Sequence, residues 1–214
     1  MLSEAFSHVE HWVFDLDNTL YPPEAALFDQ IEVKMTEWVM REVGVDRNTA
    51  DDLRTKYWDK YGTTLAGLMK EHGADPHPYL HEVHDISLSH LVPDPILAAR
   101  IAALPGQRIV YTNGSAPYAR RVLAARGLEE VFDDVFGVEH AHFRPKPDER
   151  AFNAVFEKAK VDPTAATMFE DEPRNLTAPF RMGMRTVHVA PEPVSGDHIH
   201  HHTSDLSGFL SQVV

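Results

Sequence analysis

Trp12-Val13-Phe14-Asp15-Leu16-Asp17-Asn18-Thr19-Leu20 is an apolar run that leads directly into two aspartates. The apolar start is typical of a buried strand in a parallel sheet, and the aspartates lie where that strand should end. Ligand crevices of open α/β sheets lie outside the carboxyl ends of the strands. Two carboxylates at this edge suit a hard cation such as Mg²⁺, and one of them could also act as a covalent nucleophile.

The composition limits the classes of protein that this chain could represent. The 214 residues include 33 Asp and Glu against 20 Lys and Arg, a formal charge of −13, which argues against binding to a nucleic-acid backbone. The chain contains no cysteine, so disulfides, thiolate zinc sites and cysteine nucleophiles are excluded. We found neither a secretory signal nor a membrane-spanning run, and we expect a cytoplasmic protein without a membrane partner. The sequence leaves its oligomeric state open.

The hydrophobic pattern changes along the chain. Residues 21–90 show helical periodicity and no strand pattern, with predicted helices at 24–44, 46–61, 65–72 and 79–85. Beyond this block strands and helices alternate: strands are predicted at 108–112, 134–138, 167–171 and 186–189, and helices at 96–104, 117–126, 148–160 and 175–182.

This alternation predicts an α/β fold with a doubly wound parallel sheet. The helical block separates the first strand from the second, and insertions favour exposed loops at the edge of a sheet. We therefore predict a Rossmann-like core formed by residues 1–20 and 91–214, with an all-helical cap domain inserted at 21–90.

Polar groups follow three further predicted strands. Thr112-Asn113-Gly114-Ser115 precedes a helix and could bind an anion, although Ser115 could equally act only as a helix cap. Lys146 lies between two prolines, and Glu170-Asp171 form a second acidic pair. Each motif alone could be an ordinary polar turn. Because parallel strand ends converge on one crevice, together they predict a metal site, a nucleophile, an acid/base and phosphate clamps, the parts required for phosphoryl transfer.

These four motifs resemble those of the haloacid dehalogenase-like (HAD) superfamily, and the likeness covers essentially the whole chain. The resemblance implies that Asp15 is the nucleophile that forms an aspartyl-phosphate. Asp17 would be the general acid and base, and its presence favours phosphate chemistry over carbon–halogen cleavage.

The resemblance also implies the remaining roles at the site. Thr112, Asn113 and Gly114 would bind the phosphoryl group, and Lys146 would neutralise its charge. Mg²⁺ would be the cofactor, with Asp15, Asp17, Asp171 and Glu170 as its ligands. The more frequent fourth motif has a further acid where this chain has Asn175, which leaves open which of the two adjacent acids binds the metal directly; Asn175 could orient Lys146.

The helical block resembles the C1-type cap of the superfamily, and its sequence is similar to that of the pyrimidine 5′-nucleotidase branch. On this basis Tyr21 and Tyr61 are predicted to contact substrate, in a flat slot in which a base could stack. The stretch Tyr61-Gly62-Thr63-Thr64 could equally be part of the cap's interior, and Trp58 is expected in the cap core. The histidines of 198–202 are expected to lie in a solvated loop.

The function predicted from the sequence is a Mg²⁺-dependent phosphatase acting on a small phosphorylated metabolite, with a nucleoside monophosphate as the first expectation. A sugar-phosphate phosphatase or a β-phosphoglucomutase-like enzyme is the close alternative. A non-catalytic binding or regulatory protein on the same fold is the alternative from another class.

Overall fold

A computed structural model describes residues 2–213 of the chain. Its centre is a parallel six-stranded sheet with the order β3-β2-β1-β4-β5-β6. In chain order the strands are β1 His11–Phe14, β2 Gln107–Tyr111, β3 Asp134–Phe136, β4 Ala166–Glu170, β5 Arg185–Val189 and β6 His201–Thr203. The first strand thus lies between β2 and β4, and the chain runs outward from it in both directions. The predicted doubly wound α/β fold is confirmed.

The central strands carry apolar side chains on both faces, and both faces are buried. Val13 packs with Ile109 and Met168 on one side of the sheet, and Phe14 packs on the other. The ring of Phe14 stacks on that of Phe169 in the neighbouring strand, with centroids 4.6 Å apart. This two-sided burial fixes the register of β1 and therefore where its polar continuation leaves the sheet.

Helices cover the two faces of the sheet. They are α1 Leu2–Ala5, α6 Pro95–Ala102, α7 Ala116–Arg126, α8 Glu149–Ala159, α9 Thr177–Arg181 and α10 Leu206–Leu210. Side-chain oxygens of Asp94, Ser115 and Asp148 cap the first turns of α6, α7 and α8. These caps explain why the observed helices begin within about two residues of the predicted positions.

The segment 21–90 is helical, as predicted. It contains α2 Leu27–Val39, α3 Arg47–Tyr61, α4 Thr64–His72 and α5 Pro76–Val83. The helix predicted at 24–44 differs at both ends, since it begins at Leu27 and its last five residues, Met40–Gly44, form a π-helical turn. Across residues 2–213, no helix is both long enough and apolar enough to cross a bilayer.

The histidine-rich segment differs from the expectation of a solvated loop. His201–Thr203 forms the edge strand β6, which pairs in parallel with β5 through Val187, His188 and Val189. The His202 ring packs on the His188 ring, with centroids 5.4 Å apart, and His202 Nε2 lies 2.8 Å from the Ala190 carbonyl oxygen. These histidines therefore extend the sheet.

Candidate active site

Three carboxylates meet at the carboxyl edge of the sheet. Asp15 directly follows β1, and its backbone N–H donates to the Phe169 carbonyl at 2.9 Å, which continues the pairing of β1 with β4. Glu170 is the last residue of β4, and Asp171 follows it. One carboxylate oxygen from each of these acids lies within 4.8 Å of the other two. The sequence prediction that the two acidic motifs converge is therefore correct in geometry.

Lys146 lies between two of these acids. Its Nζ donates to Asp15 Oδ1 at 2.6 Å, to Glu170 Oε2 at 2.5 Å and to the Tyr111 carbonyl at 3.2 Å. The side chain is completely buried. A buried ammonium group with three acceptors is held as a fixed positive charge beside Asp15.

The electrostatics of the cluster favour a further positive charge. Burial and the negative charge of Glu170 raise the pKa of Asp15 to about 8, although Lys146 lowers it in part. Burial and Glu170 likewise raise the pKa of Asp171 to about 9. Burial alone would lower the pKa of Lys146, but the charges of Asp15 and Glu170 outweigh it and raise the pKa. Three oxygen donors this close, and short of positive charge, fit a hard divalent cation.

The loop after β2 provides candidate anion donors. Thr112 is buried, and its Oγ1 accepts a hydrogen bond from the Gly114 N–H at 2.9 Å. The Gly114 amide thus orients the Thr112 hydroxyl, and its direct contact with a phosphoryl group stays a prediction. The Asn113 N–H has no hydrogen-bond partner within residues 2–213 and remains available. The Asn113 side chain holds the neighbouring loop, since its Oδ1 accepts from the Lys146 N–H at 2.8 Å.

Asp17 is held by two tyrosines. Its Oδ1 accepts a hydrogen bond from the Tyr21 hydroxyl at 2.6 Å and another from the Tyr118 hydroxyl at 2.8 Å. Burial raises the pKa of Asp17, and these two hydrogen bonds lower it in part. Tyr118 lies in the first turn of α7, directly after the Thr112 loop, and no sequence motif indicated its role.

The hydroxyls of the two tyrosines that were predicted to contact substrate donate to carboxylates of the protein itself. Tyr21 is 2% exposed, with its hydroxyl directed to Asp17, and the Tyr61 hydroxyl donates to Glu71 on the helical segment. Neither residue lines the large cavity of the protein. Trp58, expected in the cap core, is 43% exposed and does line it.

This cavity, of about 480 Å³, opens between the sheet edge and the helical segment. Its polar floor is formed by Asp15, Asp17, Thr112, Asn113, Lys146 and Asp171, and its more apolar wall by Phe28, Ile31, Met35, Trp58, Tyr79 and Leu80. The reactive groups therefore lie at one end of a space large enough for a small organic molecule.

Arg174 ties the helical segment to the sheet edge. Its guanidinium group lies 3.4 Å from the centroid of the Trp58 ring and donates to the carbonyls of Trp58 at 3.0 Å and Gly62 at 2.9 Å. At Gly62, φ is +93°, and an added Cβ would lie 3.0 Å from the Pro145 ring, in the loop that carries Lys146. Only glycine suits this combination of conformation and close approach.

His84 makes a second connection between the helical segment and the sheet edge, through Ser115 and Tyr118. Its Nδ1 lies 3.1 Å from Ser115 Oγ, and its ring stacks on Tyr118 with centroids 4.4 Å apart and an interplanar angle of 6°. Burial, together with the charge of Arg121, lowers the pKa of His84 to about 4, so the ring is neutral at physiological pH. His84 also lines the cavity.

Asn175 contacts a different partner from the one expected. Its Nδ2 donates to Glu170 Oε1 at 3.3 Å, and Glu170 in turn accepts from Lys146 through Oε2. Asn175 therefore orients Lys146 through Glu170 and not by direct contact.

Two curated proteins are similar to this chain in sequence. Phosphate metabolism protein 8 of Saccharomyces cerevisiae is 26% identical over 190 residues, which cover 80% of this chain and 58% of that protein. Fructose-1-phosphate phosphatase YqaB of Escherichia coli is 30% identical over 122 residues, or 54% of this chain and 63% of that protein. The chain thus spans about 60% of the length of these curated relatives.

A solved structure has the same fold. The putative HAD-hydrolase YfnB from Bacillus subtilis, in a structure bound to magnesium, superimposes with a TM-score of 0.59 at 15% identity, covering 96% of this chain and 98% of that one. The model of the haloacid dehalogenase-like hydrolase family matches residues 9–183. The chain therefore belongs to the haloacid dehalogenase-like hydrolase family.

Proposed function

We propose that this protein is a Mg²⁺-dependent phosphatase that hydrolyses a small phosphomonoester through an aspartyl-phosphate. The observation that carries the proposal is the buried Asp15–Lys146 pair, within an acidic cluster and beside Asp17, at the floor of a cavity. The relative from Escherichia coli is named a fructose-1-phosphate phosphatase, which supports the same class of reaction.

The proposed reaction has two steps. First, a carboxylate oxygen of Asp15 forms a bond to phosphorus while the bond from phosphorus to the ester oxygen breaks, and Asp17 gives its proton to that oxygen. Water then attacks phosphorus, Asp17 takes a proton from this water, and the bond to Asp15 breaks. Inorganic phosphate is released and both carboxyl groups return to their starting states.

Three groups would stabilise the phosphoryl group during transfer. Lys146 offers a fixed positive charge next to Asp15, and the Thr112 hydroxyl and the Asn113 N–H offer hydrogen bonds. The lysine is already in place before substrate binds, so no reorganisation of its charge is required.

Asp15, Asp171 and the backbone carbonyl of Asp17 would hold Mg²⁺. When bound, the ion supplies positive charge for the phosphoryl oxygens and the attacking carboxylate. We assign Glu170 a different task from that of a direct ligand. Glu170 would hold Lys146 beside Asp15, since its Oε2 accepts from Lys146 at 2.5 Å and its Oε1 accepts from Asn175 and from the Glu172 N–H, each at 3.3 Å.

For the substrate we propose a nucleoside monophosphate, with residues 21–90 acting as a C1-type cap over the site. The cavity volume of about 480 Å³ falls in the usual range for small-molecule sites, roughly 300–1,000 Å³, and its wall offers the exposed Trp58 ring for a planar base. The assignment to the pyrimidine 5′-nucleotidase branch rests on the resemblance of the cap sequence. A sugar-phosphate phosphatase is the second candidate, favoured by the name of the relative from Escherichia coli.

Phosphate release from a panel of esters tests the proposal. The panel contains UMP, CMP, dTMP, AMP, GMP, fructose 1-phosphate, glucose phosphates and p-nitrophenyl phosphate, each assayed with Mg²⁺ and with EDTA. Release that requires Mg²⁺ and favours UMP, CMP or dTMP supports the full proposal. A preference for sugar phosphates keeps the chemistry and rejects the nucleotide. Folded protein that releases phosphate from none of them contradicts the phosphatase function.

A further inference from the structure

Two buried phenols donate to the same oxygen of Asp17. The Tyr21 hydroxyl lies 2.6 Å and the Tyr118 hydroxyl 2.8 Å from Oδ1, and the two side chains are only 2% and 1% exposed. The other oxygen, Oδ2, has no hydrogen-bond partner in the described part of the chain, although Asp17 lines the cavity. The two oxygens of this carboxyl group are therefore not equivalent.

We propose that Tyr21 and Tyr118 are positioning residues that keep the transferable proton of Asp17 on Oδ2. A carboxyl oxygen has two lone pairs, and at Oδ1 both are occupied by the phenol donors. When Asp17 is protonated, its proton must then reside on Oδ2, the oxygen without a protein partner. This inference rests on the proposed phosphatase function, in which Asp17 serves the leaving oxygen.

The two donors reach Asp17 from separate parts of the fold. Tyr21 lies four residues further along the same loop, whereas Tyr118 lies 101 residues away in α7. The Tyr118 ring is fixed by its stacking on His84, and the helix that carries it begins at the Ser115 cap. Held on two sides, the carboxyl group cannot exchange its oxygens by rotation without breaking two hydrogen bonds.

The position of the Asp17 proton matters more for the hydrolysis of alkyl esters than for that of p-nitrophenyl phosphate. As the bond from phosphorus to an alkyl oxygen breaks, the electron pair remains on that oxygen, which must receive the proton from Oδ2. A p-nitrophenolate ion leaves without a proton. The ratio kcat/KM reports only the steps through phosphoryl transfer to Asp15, and so it isolates this proton transfer from the later hydrolysis.

The test compares Tyr118→Phe and Tyr21→Phe with wild-type protein. We expect kcat/KM for the alkyl esters UMP and fructose 1-phosphate to fall by about tenfold or more, a fraction of the 10²–10⁴ that a general acid contributes. For p-nitrophenyl phosphate the loss should be several times smaller. Tyr57→Phe is the matched control, since Tyr57 is also buried and its hydroxyl lies 2.7 Å from His72 Nε2, on the helical segment. An equal loss with both classes of ester, or no loss with either, would overturn the proposal.

The same substitutions in an Asp17→Asn background separate positioning from folding. Since the tyrosines act through Asp17, removing either hydroxyl from this background should change the ratio between the two classes of ester no further. If the losses simply add, the tyrosines act by another route and the proposal fails. Wild-type protein inactive on every ester would instead reject the phosphatase function itself, a result distinct from active protein with uniform losses.

Discussion

Lys146 Nζ lies 2.6 Å from Oδ1 of Asp15, although 131 residues separate the two in the chain. The pair joins the loop after β1 to the loop after β3, and Glu170 at the end of β4 shares the same ammonium group at 2.5 Å. Lys146 thus bridges two acids that lie at the ends of neighbouring strands. This arrangement ties the stability of the site to its charge balance.

Replacement of Lys146 with methionine should destabilise the protein. The change leaves the buried Asp15 and Glu170 carboxylates without their shared cation, and loss of one partner of a buried ion pair typically costs about 3–5 kcal/mol. Urea unfolding at neutral pH measures the free energy of unfolding. The control is Lys60→Met, because Lys60 is an exposed lysine paired with Glu71 at 3.2 Å. Equal effects of the two substitutions would show that the buried charge does not matter.

Mg²⁺ should stabilise the folded protein through the carboxylate cluster. A ligand that binds only the native state raises the midpoint of thermal unfolding as its concentration rises. We expect such a rise for wild-type protein on titration with MgCl₂, its reversal by EDTA, and a much smaller rise for Asp171→Asn, which loses one of three clustered carboxylates. The exposed Asp29, changed to Asn, is the control and should respond like wild type. A full response from Asp171→Asn would place the metal elsewhere.

His84 should make stability depend on pH in the acid range. Burial and Arg121 lower its pKa to about 4 in the folded protein, against 6.5 for an ordinary histidine. The unfolded chain therefore takes up a proton first, so stability is lost as pH falls from about 6.5 to about 4, by up to roughly 3 kcal/mol. Above that range His84 contributes no pH dependence.

Unfolding of His84→Gln at pH 7 and at acid pH tests this expectation. The variant should lose less stability between the two conditions than wild type, whereas the exposed His81→Gln should behave like wild type. An unchanged acid sensitivity in His84→Gln would assign the effect to other groups.

Arg174→Ala should loosen the attachment of the helical segment. The substitution removes the stacking on Trp58 and two hydrogen bonds to backbone carbonyls. We expect faster amide hydrogen exchange over residues 57–64 and a raised KM, because the cavity loses a fixed wall. Arg150→Ala is the control, since Arg150 is exposed and pairs with nearby Asp148. Unchanged exchange in Arg174→Ala would show that other contacts suffice.

The sequence predicted those parts of the site that lie at the ends of apolar strands. Asp15, Thr112, Lys146 and Glu170 could be placed together because parallel strands end at one edge and each strand has a clear apolar pattern. Strand β6 could not be found in this way. It is short, half-buried and rich in histidine, and within residues 2–213 it pairs with β5 alone.

Contacts between distant segments escaped prediction for a related reason. Tyr118 reaches Asp17 across 101 residues, and nothing in its local sequence distinguishes it from a core tyrosine of α7. Trp58 was expected in the cap core from its helical spacing, yet it is 43% exposed, lines the cavity and stacks on Arg174. Local periodicity does not record which surface a second segment will cover.

Trapping the phosphoryl group on the protein tests directly whether Asp15 is the nucleophile. Asp17→Asn protein, in which hydrolysis of the intermediate should be slow, is mixed with Mg²⁺ and p-nitrophenyl phosphate, quenched in acid and mapped by mass spectrometry. We predict one phosphoryl group on the peptide that contains Asp15, and none when Asp15 is also changed to Asn. A phosphoryl group on another residue, or wild-type activity in the Asp15→Asn protein, would contradict the assignment of Asp15 as the nucleophile.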